Sequence, residues 1–572
     1  MKYQQNSKRE EKSKFITNQL TNMAHIPIRS YLYLLLGTTL FSCAPQELKT
    51  PFELKCENIP VPVGVDTQTP RLSWKLPLLE EDSINRVEIW LSTDSTQLSD
   101  RQSGYWNKSI IGAPIRVSYD GQPLDSYTTY YWKIGYQTSS KQKTTFSPIS
   151  SFTTGCLSPD NWKGKWITDK HEITYRPAPY YRKSFQLDKT IEQALLTIAS
   201  AGLHELSVNG QRAGNHFLDP MYTHFDKRIL SVTHDVTSLL SLGENVIGVQ
   251  LGNGWYNHQS TAVWFFDKAS WRNRPKFTAQ LHLRYTDGTE YLGTDSTWQT
   301  TDSPVIFNSI YTAEHYDAQK ELAGWDSPGF NATGWYHAQE TESPTETIKS
   351  QVMHPIRETA RYTATQCKKI NDSCYVYHFP QNIAGVTELK VKGKKGTKLR
   401  LKHGELLDKN GMVNMANIDY HYRPTDDSDP FQTDIVILSG KQDRFMPKFN
   451  YKGFQFVEVS SSAPIQLSDE NLIAVEMHSD VPIIGYWSSS SDLLNKIWKA
   501  TNSSYLANLF GYPTDCPQRE KNGWTGDAHI AIETGLYNFD GISIYEKWMN
   551  DFCDEQKDNG VLPCIIPTSV WG

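Results

Sequence analysis

The chain has 572 residues, with 57 Lys+Arg against 63 Asp+Glu for a formal net charge of −6, and hydrophobic residues at 38%. At about four times a typical domain of roughly 150 residues, it excludes a small single-core scaffold and implies several domains. With no basic excess to neutralise phosphates, a broad electrostatic hold on nucleic acid is excluded, and no nucleic-acid partner is expected. The informative excess is aromatic: 17 Trp, 30 Tyr and 22 Phe, 12% of the chain. Such rings fill β-sandwich cores, and they also cover the apolar C–H face of a sugar while neighbours bond its hydroxyls.

Residues 1–43 read as a leader. Tyr31 to Phe41 is an apolar run of 11 residues, too short for the roughly 20 of a membrane-spanning helix but suited to the core of a signal peptide. Leu40-Phe41-Ser42-Cys43 resembles the lipobox of bacterial lipoproteins. Cys43 is therefore the expected lipid-anchor residue, and the protein an exported lipoprotein, periplasmic or on the cell surface of a Gram-negative bacterium, touching the membrane through that anchor only. The mixed-charge segment Lys2 to Lys14 fits neither a signal nor a fold, which makes Met23 a competing start. The other seven cysteines, Cys56, Cys156, Cys367, Cys374, Cys516, Cys553 and Cys564, are odd in number and scattered, so no disulfide framework is expected. Cys367 and Cys374 alone, on the two arms of a predicted hairpin, are candidates for a bridge. No CxxC pair, HExxH or clustered His/Cys spacing occurs, so no metal site and no cofactor is expected.

From 51 to 155 short alternating segments, Arg71 to Trp74, Val87 to Leu91, Tyr130 to Tyr136 and Phe152 to Thr154, are separated by Pro, Gly, Asp and Ser turns. This predicts an immunoglobulin- or fibronectin-like sandwich. A jelly-roll β-domain is predicted for 162–345, with strands at Leu195 to Ile198, Glu205 to Val208 and Asn245 to Leu251 and a hairpin turn at Asn209-Gly210. A further β-sandwich follows at 353–480, with strands at Glu388 to Val391, Lys398 to Lys402 and Phe454 to Val459. After Ser488 the hydrophobic period moves from 2 to 3.6: Leu493, Leu494, Ile497, Trp498, Thr501 and Tyr505 define a helix capped by the serine run ending at Ser491. A second helix is predicted from Ala528 to about Lys557. An all-α domain thus begins near residue 486.

Between those helices lies Pro513 to Asp527, PTDCPQREKNGWTGD, the densest polar and aromatic cluster in the chain. In the plain reading Asp515 caps a short helix starting at Cys516 and Pro517, with Gln518 at the capping-box position, Asn522-Gly523 ends it, and Asp527 caps the next helix. Capping leaves Arg519, Glu520 and Trp524 unexplained. A carboxyl near a Trp face and other carboxylates has its pKa raised by desolvation and like-charge repulsion, which suits a proton donor near neutral pH. Glu520 fits that role, with Arg519 orienting a sugar hydroxyl or a carboxylate. Trp255 and Tyr256 are read as core packing rather than sugar contacts.

This motif, PTDCPQRE followed by GWTGDA, resembles the signature around the general acid of the bacterial α-L-rhamnosidases of glycoside hydrolase family 78. Upstream, Pro70 to Trp74, Leu251 to Tyr256, Gln381 to Gly385, His403 to Leu406 and Tyr451 to Phe454 resemble the family's β-domains. The resemblance implies a multidomain chain of all-β sandwich and jelly-roll domains, followed at 486–572 by the first part of an (α/α)6 barrel. It also implies inverting hydrolysis of terminal α-L-rhamnose from glycosides or polysaccharides, with Glu520 as general acid and Asp515, Arg519, Trp524 and Asp527 binding or positioning the sugar. An inverting enzyme needs a second carboxylate about 6.5–9.5 Å from the acid, and the family's base lies beyond residue 572, so a C-terminally truncated fragment is expected. Lys521-Asn522 stands where the family usually has Arg-Leu, a departure expected to affect loop packing more than proton transfer. The alternative reading is a catalytically inactive fragment that acts at most as a cell-surface glycan-binding protein.

Overall fold

The computed structural model describes residues 49–80, 82–99, 105–141, 143–424 and 428–571; the leader with Cys43 lies outside them. Among the described residues three all-β assemblies are followed by three α-helices. In the first assembly the strand Thr129–Thr138 sets the pattern: Tyr130, Trp132, Ile134 and Tyr136 alternate at period two and are all fully buried, as one face of a half-buried strand requires. It runs between Ile84–Ser92 and Ser150–Thr154 in a six-stranded sheet. A three-stranded sheet of Phe52–Cys56, Arg71–Lys75 and Arg116–Ser118 completes the assembly, and Trp74 meets Trp132 edge-on at 6.5 Å.

The second assembly has a seven-stranded and a six-stranded sheet around a core that includes Tyr181, Leu196, Ile198, Val249, Leu281 and Trp298. Gln193–Ala201 pairs residue for residue with Lys276–Tyr285. Asn209 and Gly210 both take left-handed φ, 51° and 76°, turning Leu203–Val208 onto Gln211–Arg212 as a primed hairpin turn demands. The third assembly is a ten-stranded sheet centred on the 19-residue strand Cys374–Lys392. Cys367 lies opposite Tyr377 and Cys374 opposite Asn371, and both thiols are free. The candidate bridge is therefore corrected: the hairpin register does not place the two cysteines across from each other.

Chain order and spatial order part at two straps. Val305–Asn308 and Glu314–Asp317, within the jelly-roll stretch of sequence, join the ten-stranded sheet, the latter parallel to Thr433–Ile437. In return Ile348–Ser350 adds in parallel to Ile229–Asp235 of the jelly roll. Helix α1 (Asp492–Ala507) follows Ser491 at its N-cap, α2 spans Thr525–Asn538 and α3 spans Ile542–Glu555. The single second helix expected to about Lys557 is thus two. The backbone leaves the helix at Phe539, whose extended φ of −134° and ψ of 148° brings Asp540 N–H to the Pro482 carbonyl. Among the described residues no helix is long and apolar enough to cross a membrane.

Candidate active site

The loop joining α1 to α2 is fixed by the β-domains beneath it. Leu509, Phe510, Tyr512, Ile565 and Ile566 share one apolar cluster with Trp255, Tyr256 and Tyr311 of the jelly-roll segment and Tyr451 of the third assembly. Trp255 and Tyr256 are buried there, as packing residues. Phe510 stacks on Tyr451 at 3.7 Å. Gly523 passes so close to residue 566 that an added Cβ would lie 2.0 Å from the Ile566 carbonyl oxygen. Ile566 N–H bonds the Gly523 carbonyl and Thr525 N–H bonds the Cys564 carbonyl, both at 2.9 Å.

Two capping assignments are corrected by this geometry. Residues 517–520 form a turn, not a helix, and Asp515 accepts the Cys516 thiol at 2.9 Å while also bonding across the loop. Its N–H donates to the Asn522 carbonyl at 3.0 Å, and its carboxylate accepts Asn522 N–H at 3.1 Å. Helix α2 starts at Thr525 after Trp524 as N-cap, so Asp527 sits in its first turn, where the helix dipole favours negative charge, and is not its cap. Gly523 accordingly lies in a β-like bridge region beside Ile566 and does not end a helix. Lys521 takes a left-handed φ of 59° and is buried. Its ammonium donates to the carbonyls of Ile310, at 2.7 Å, and Tyr451, so it pins the loop to both β-domains.

The loop places four of the five predicted site residues together. Trp524 Nε1 donates to Glu520 Oε2 at 2.8 Å, so the indole meets the acid with its N–H and not with a π face. Glu520 Oε1 lies 3.4 Å from His421 Nε2 and 3.7 Å from Arg519 Nε. Arg519 Nη1 donates to the Tyr420 hydroxyl at 3.0 Å, and its carbonyl accepts the Tyr311 hydroxyl at 2.6 Å. The fifth, Asp527, shares with Asp515 the lining of a cleft between α1 and α2. Asp515, Cys516 Sγ and Glu520 present ligand-type atoms within 4.8 Å of one another. Burial pushes the Asp515 carboxyl up to about 7; the Cys516 thiol bond opposes that and the nearby Glu520 adds to it. Burial also raises the Cys516 thiol and lowers His421, with Glu520 acting in the opposite sense on the imidazole.

One wall of this site is absent from the sequence expectation. Tyr420 and His421 come from a loop of the third assembly, while Trp264, 5.2 Å from His421 and 5.8 Å edge-on from Trp524, comes from the jelly roll. The signal lay in two dense aromatic stretches, Val263 to Phe266 and Tyr420 to Tyr422, which carry no spacing that points to a shared partner. The wall makes Glu520 a carboxyl 9% exposed in an aromatic cleft with a cation and an imidazole in reach.

The site is thus a buried carboxyl on the loop between two helices, walled by accessory β-domains. Domain matches run along the chain in that order: the N-terminal immunoglobulin domain of Rha78A-like proteins at residues 51–158, the α-L-rhamnosidase N-terminal domain at 189–360, the bacterial α-L-rhamnosidase concanavalin-like domain at 368–478, and the bacterial α-L-rhamnosidase six-hairpin glycosidase domain at 482–572. The chain belongs to the bacterial α-L-rhamnosidase family. It is 30% identical over 594 residues to an α-L-rhamnosidase of Formosa agariphila, covering 94% of this chain and 60% of that protein. The solved α-L-rhamnosidase of Dictyoglumus thermophilum superposes with a TM-score of 0.84 at 33% identity, over 92% of this chain and 60% of that one. That of Aspergillus terreus gives 0.80 at 28%, over 91% and 59%. The chain thus spans about 60% of the length of the relatives it matches.

Proposed function

We propose that this chain carries the acid half of an inverting α-L-rhamnosidase, which releases terminal α-L-rhamnose from glycosides or polysaccharides. The observation that carries the reading is the Glu520 carboxyl, held by the Trp524 N–H and flanked by Arg519 and His421. Glu520 protonates the leaving glycosidic oxygen. Asp515, Arg519, Trp524 and Asp527 hold the sugar and the acid in register, and His421 positions the Glu520 carboxylate from the β-domain side.

Asp515 does not serve as the inverting partner, because an oxygen within 4.8 Å of Glu520 leaves no room for the water that inversion places between acid and base, about 6.5–9.5 Å apart. The base is assigned to the part of the relatives' barrel outside the matched 60%. The assay is release of the aryl group from an aryl α-L-rhamnoside by the wild-type chain beside Glu520→Gln. A loss of about 10²–10⁴-fold in the variant supports the acid role, and equal release in both overturns it. Release by the wild type would also place a base within this chain; no release in either is what an acid half without its base gives, and the acid role is then tested by the same variant in the protein with its barrel completed, where no release in either gives the second reading, a glycan-binding protein without turnover.

We also propose that the protein is an exported lipoprotein anchored at Cys43. Cys43→Ser moves the protein from the membrane fraction to the soluble fraction of the periplasm or medium; retention in the membrane would contradict the anchor.

A further inference from the structure

Remote from Glu520, one buried carboxylate meets an imidazole instead of a Lys or Arg. Asp219 is 3% exposed. Its Oδ2 takes His216 Nδ1 at 3.0 Å and its Oδ1 accepts the Gln351 amide at 2.7 Å. The guanidiniums nearby are committed elsewhere: Arg212 is paired with Glu205 at 2.7 Å and Arg357 with Asp480 at 2.9 Å. No Lys or Arg ion pair reaches Asp219 among the described residues. An ionised carboxylate in such a place is costly unless a positive charge meets it.

The surroundings offer metal ligands. His216 and His234 have ring centroids 5.4 Å apart, and one nitrogen of each, with an Asp219 oxygen, lies within 4.8 Å of the others. His234 stands on the strand Ile229–Asp235, while His216 and Asp219 lie in the loop that follows Gln211–Arg212. That loop comes close to the strand only because residue 214 is glycine: at its φ of 76° an added Cβ would lie 2.8 Å from His234 Nδ1. Asp219 is itself oriented by Gln351, whose Oε1 also accepts Met221 N–H at 2.8 Å, an outer support of the kind that aims a ligating carboxylate.

We infer that His216, Asp219 and His234 form a binding site for a divalent transition ion of the zinc type, which staples the 213–221 loop of the jelly roll to the strand Ile229–Asp235. Two imidazoles and one carboxylate, with an open coordination position, is a donor set that suits zinc better than calcium or magnesium. The spacing, three residues and then fifteen, matches no zinc motif, which is why sequence reading expected no metal.

The test uses the untagged chain, stripped with EDTA and dialysed against Zn2+, with bound zinc measured by mass spectrometry and unfolding by calorimetry. One zinc per chain and a raised Tm are expected, with affinity lower by about tenfold or more in His216→Ala and in His234→Ala. His216 is half-buried on a loop, so its variant keeps the fold, as far-UV circular dichroism will show. Co2+ in place of zinc is expected to give a spectrum without a thiolate charge-transfer band. Zinc retention equal to that of a His216→Ala/His234→Ala double variant overturns the site, as does binding that is lost in Cys516→Ser. Because metal content and Tm are the readouts, the outcome is independent of rhamnosidase activity.

Discussion

The β-domains and the helices treat their apolar surface differently. Each β-assembly buries apolar strand residues: Leu196, Ile198 and Val249 of the jelly roll, or Leu399, Leu401 and Val457 of the third assembly, are at most 1% exposed. Among the helices only α3 does likewise, with Ile544 fully buried and Trp548 4% exposed. It rests in the cluster shared with the jelly roll, where Arg228 bonds Asp551 at 2.7 Å and Asp554 at 2.8 Å. On α1 and α2, Leu493 is 66%, Ile497 53%, Ile530 82% and Tyr537 75% exposed. A sheet pair is close to self-sufficient, whereas a helix carries one stripe and needs a neighbour to cover it. For α1 and α2 the described residues cover that stripe only in part: Tyr505 of α1 stacks on Phe539 and meets the Tyr545 hydroxyl of α3 at 2.8 Å, while Leu493, Ile497, Ile530 and Tyr537 stay open.

The largest expected effects test the buried side of this contrast. Asp434→Asn leaves the Lys452 ammonium, now paired at 2.8 Å with both side chains fully buried, without its counter-charge, and a loss of about 3–5 kcal/mol in urea unfolding is expected. Trp548→Ala opens the α3 contact and removes the bond from Nε1 to the Ile566 carbonyl, 2.8 Å. It should cost about 3–5 kcal/mol, read in the transition that reports the helices. A loss below 1 kcal/mol would mean that α3 is not held by the jelly roll. Gly523→Ala, which drives a methyl into the Ile566 carbonyl, should cost about 1–3 kcal/mol, read in the same transition.

A smaller effect is a pH dependence centred on Asp515. Its folded value, about 7, lies above the ordinary 3.8. The stabilisation is therefore fully present below about pH 4 and lost as pH rises through 7. Tm should fall across that window more steeply in the wild type than in Asp515→Asn, and parallel profiles would remove Asp515 from the account. The smallest effect belongs to the open face: Ile530→Ala should change stability by no more than about 0.5 kcal/mol. A large loss there would show that α2 is covered in solution.

Local order was legible in the sequence wherever one residue pattern decides it. The period-two strand through Tyr130 and Trp132 and the Asn209-Gly210 turn follow from pleat and sterics within a few residues, and the change of period marks α1, although Ser491 at its N-cap makes no side-chain capping bond. The motif holding Asp515, Arg519, Glu520 and Trp524 was legible too, because those residues are neighbours in the chain. The break at Phe539 was not legible, since the periodicity of α2 runs on through Ile544 and Trp548 and only the Asp540 bond to Pro482 turns the backbone aside.

What the sequence determined by itself was therefore the alternation within strands such as Thr129–Thr138 and the grouping of polar and aromatic residues in one loop. Tertiary structure decided what that loop faces. Trp264, Tyr420 and His421 stand more than 90 residues before Glu520 and meet it only because two sheets and a shared apolar cluster carry them there. The same holds for His216, Asp219 and His234, brought to one point by a glycine turn and a strand. Contacts of that kind arise from packing distant surfaces, which leaves no short-range period to read.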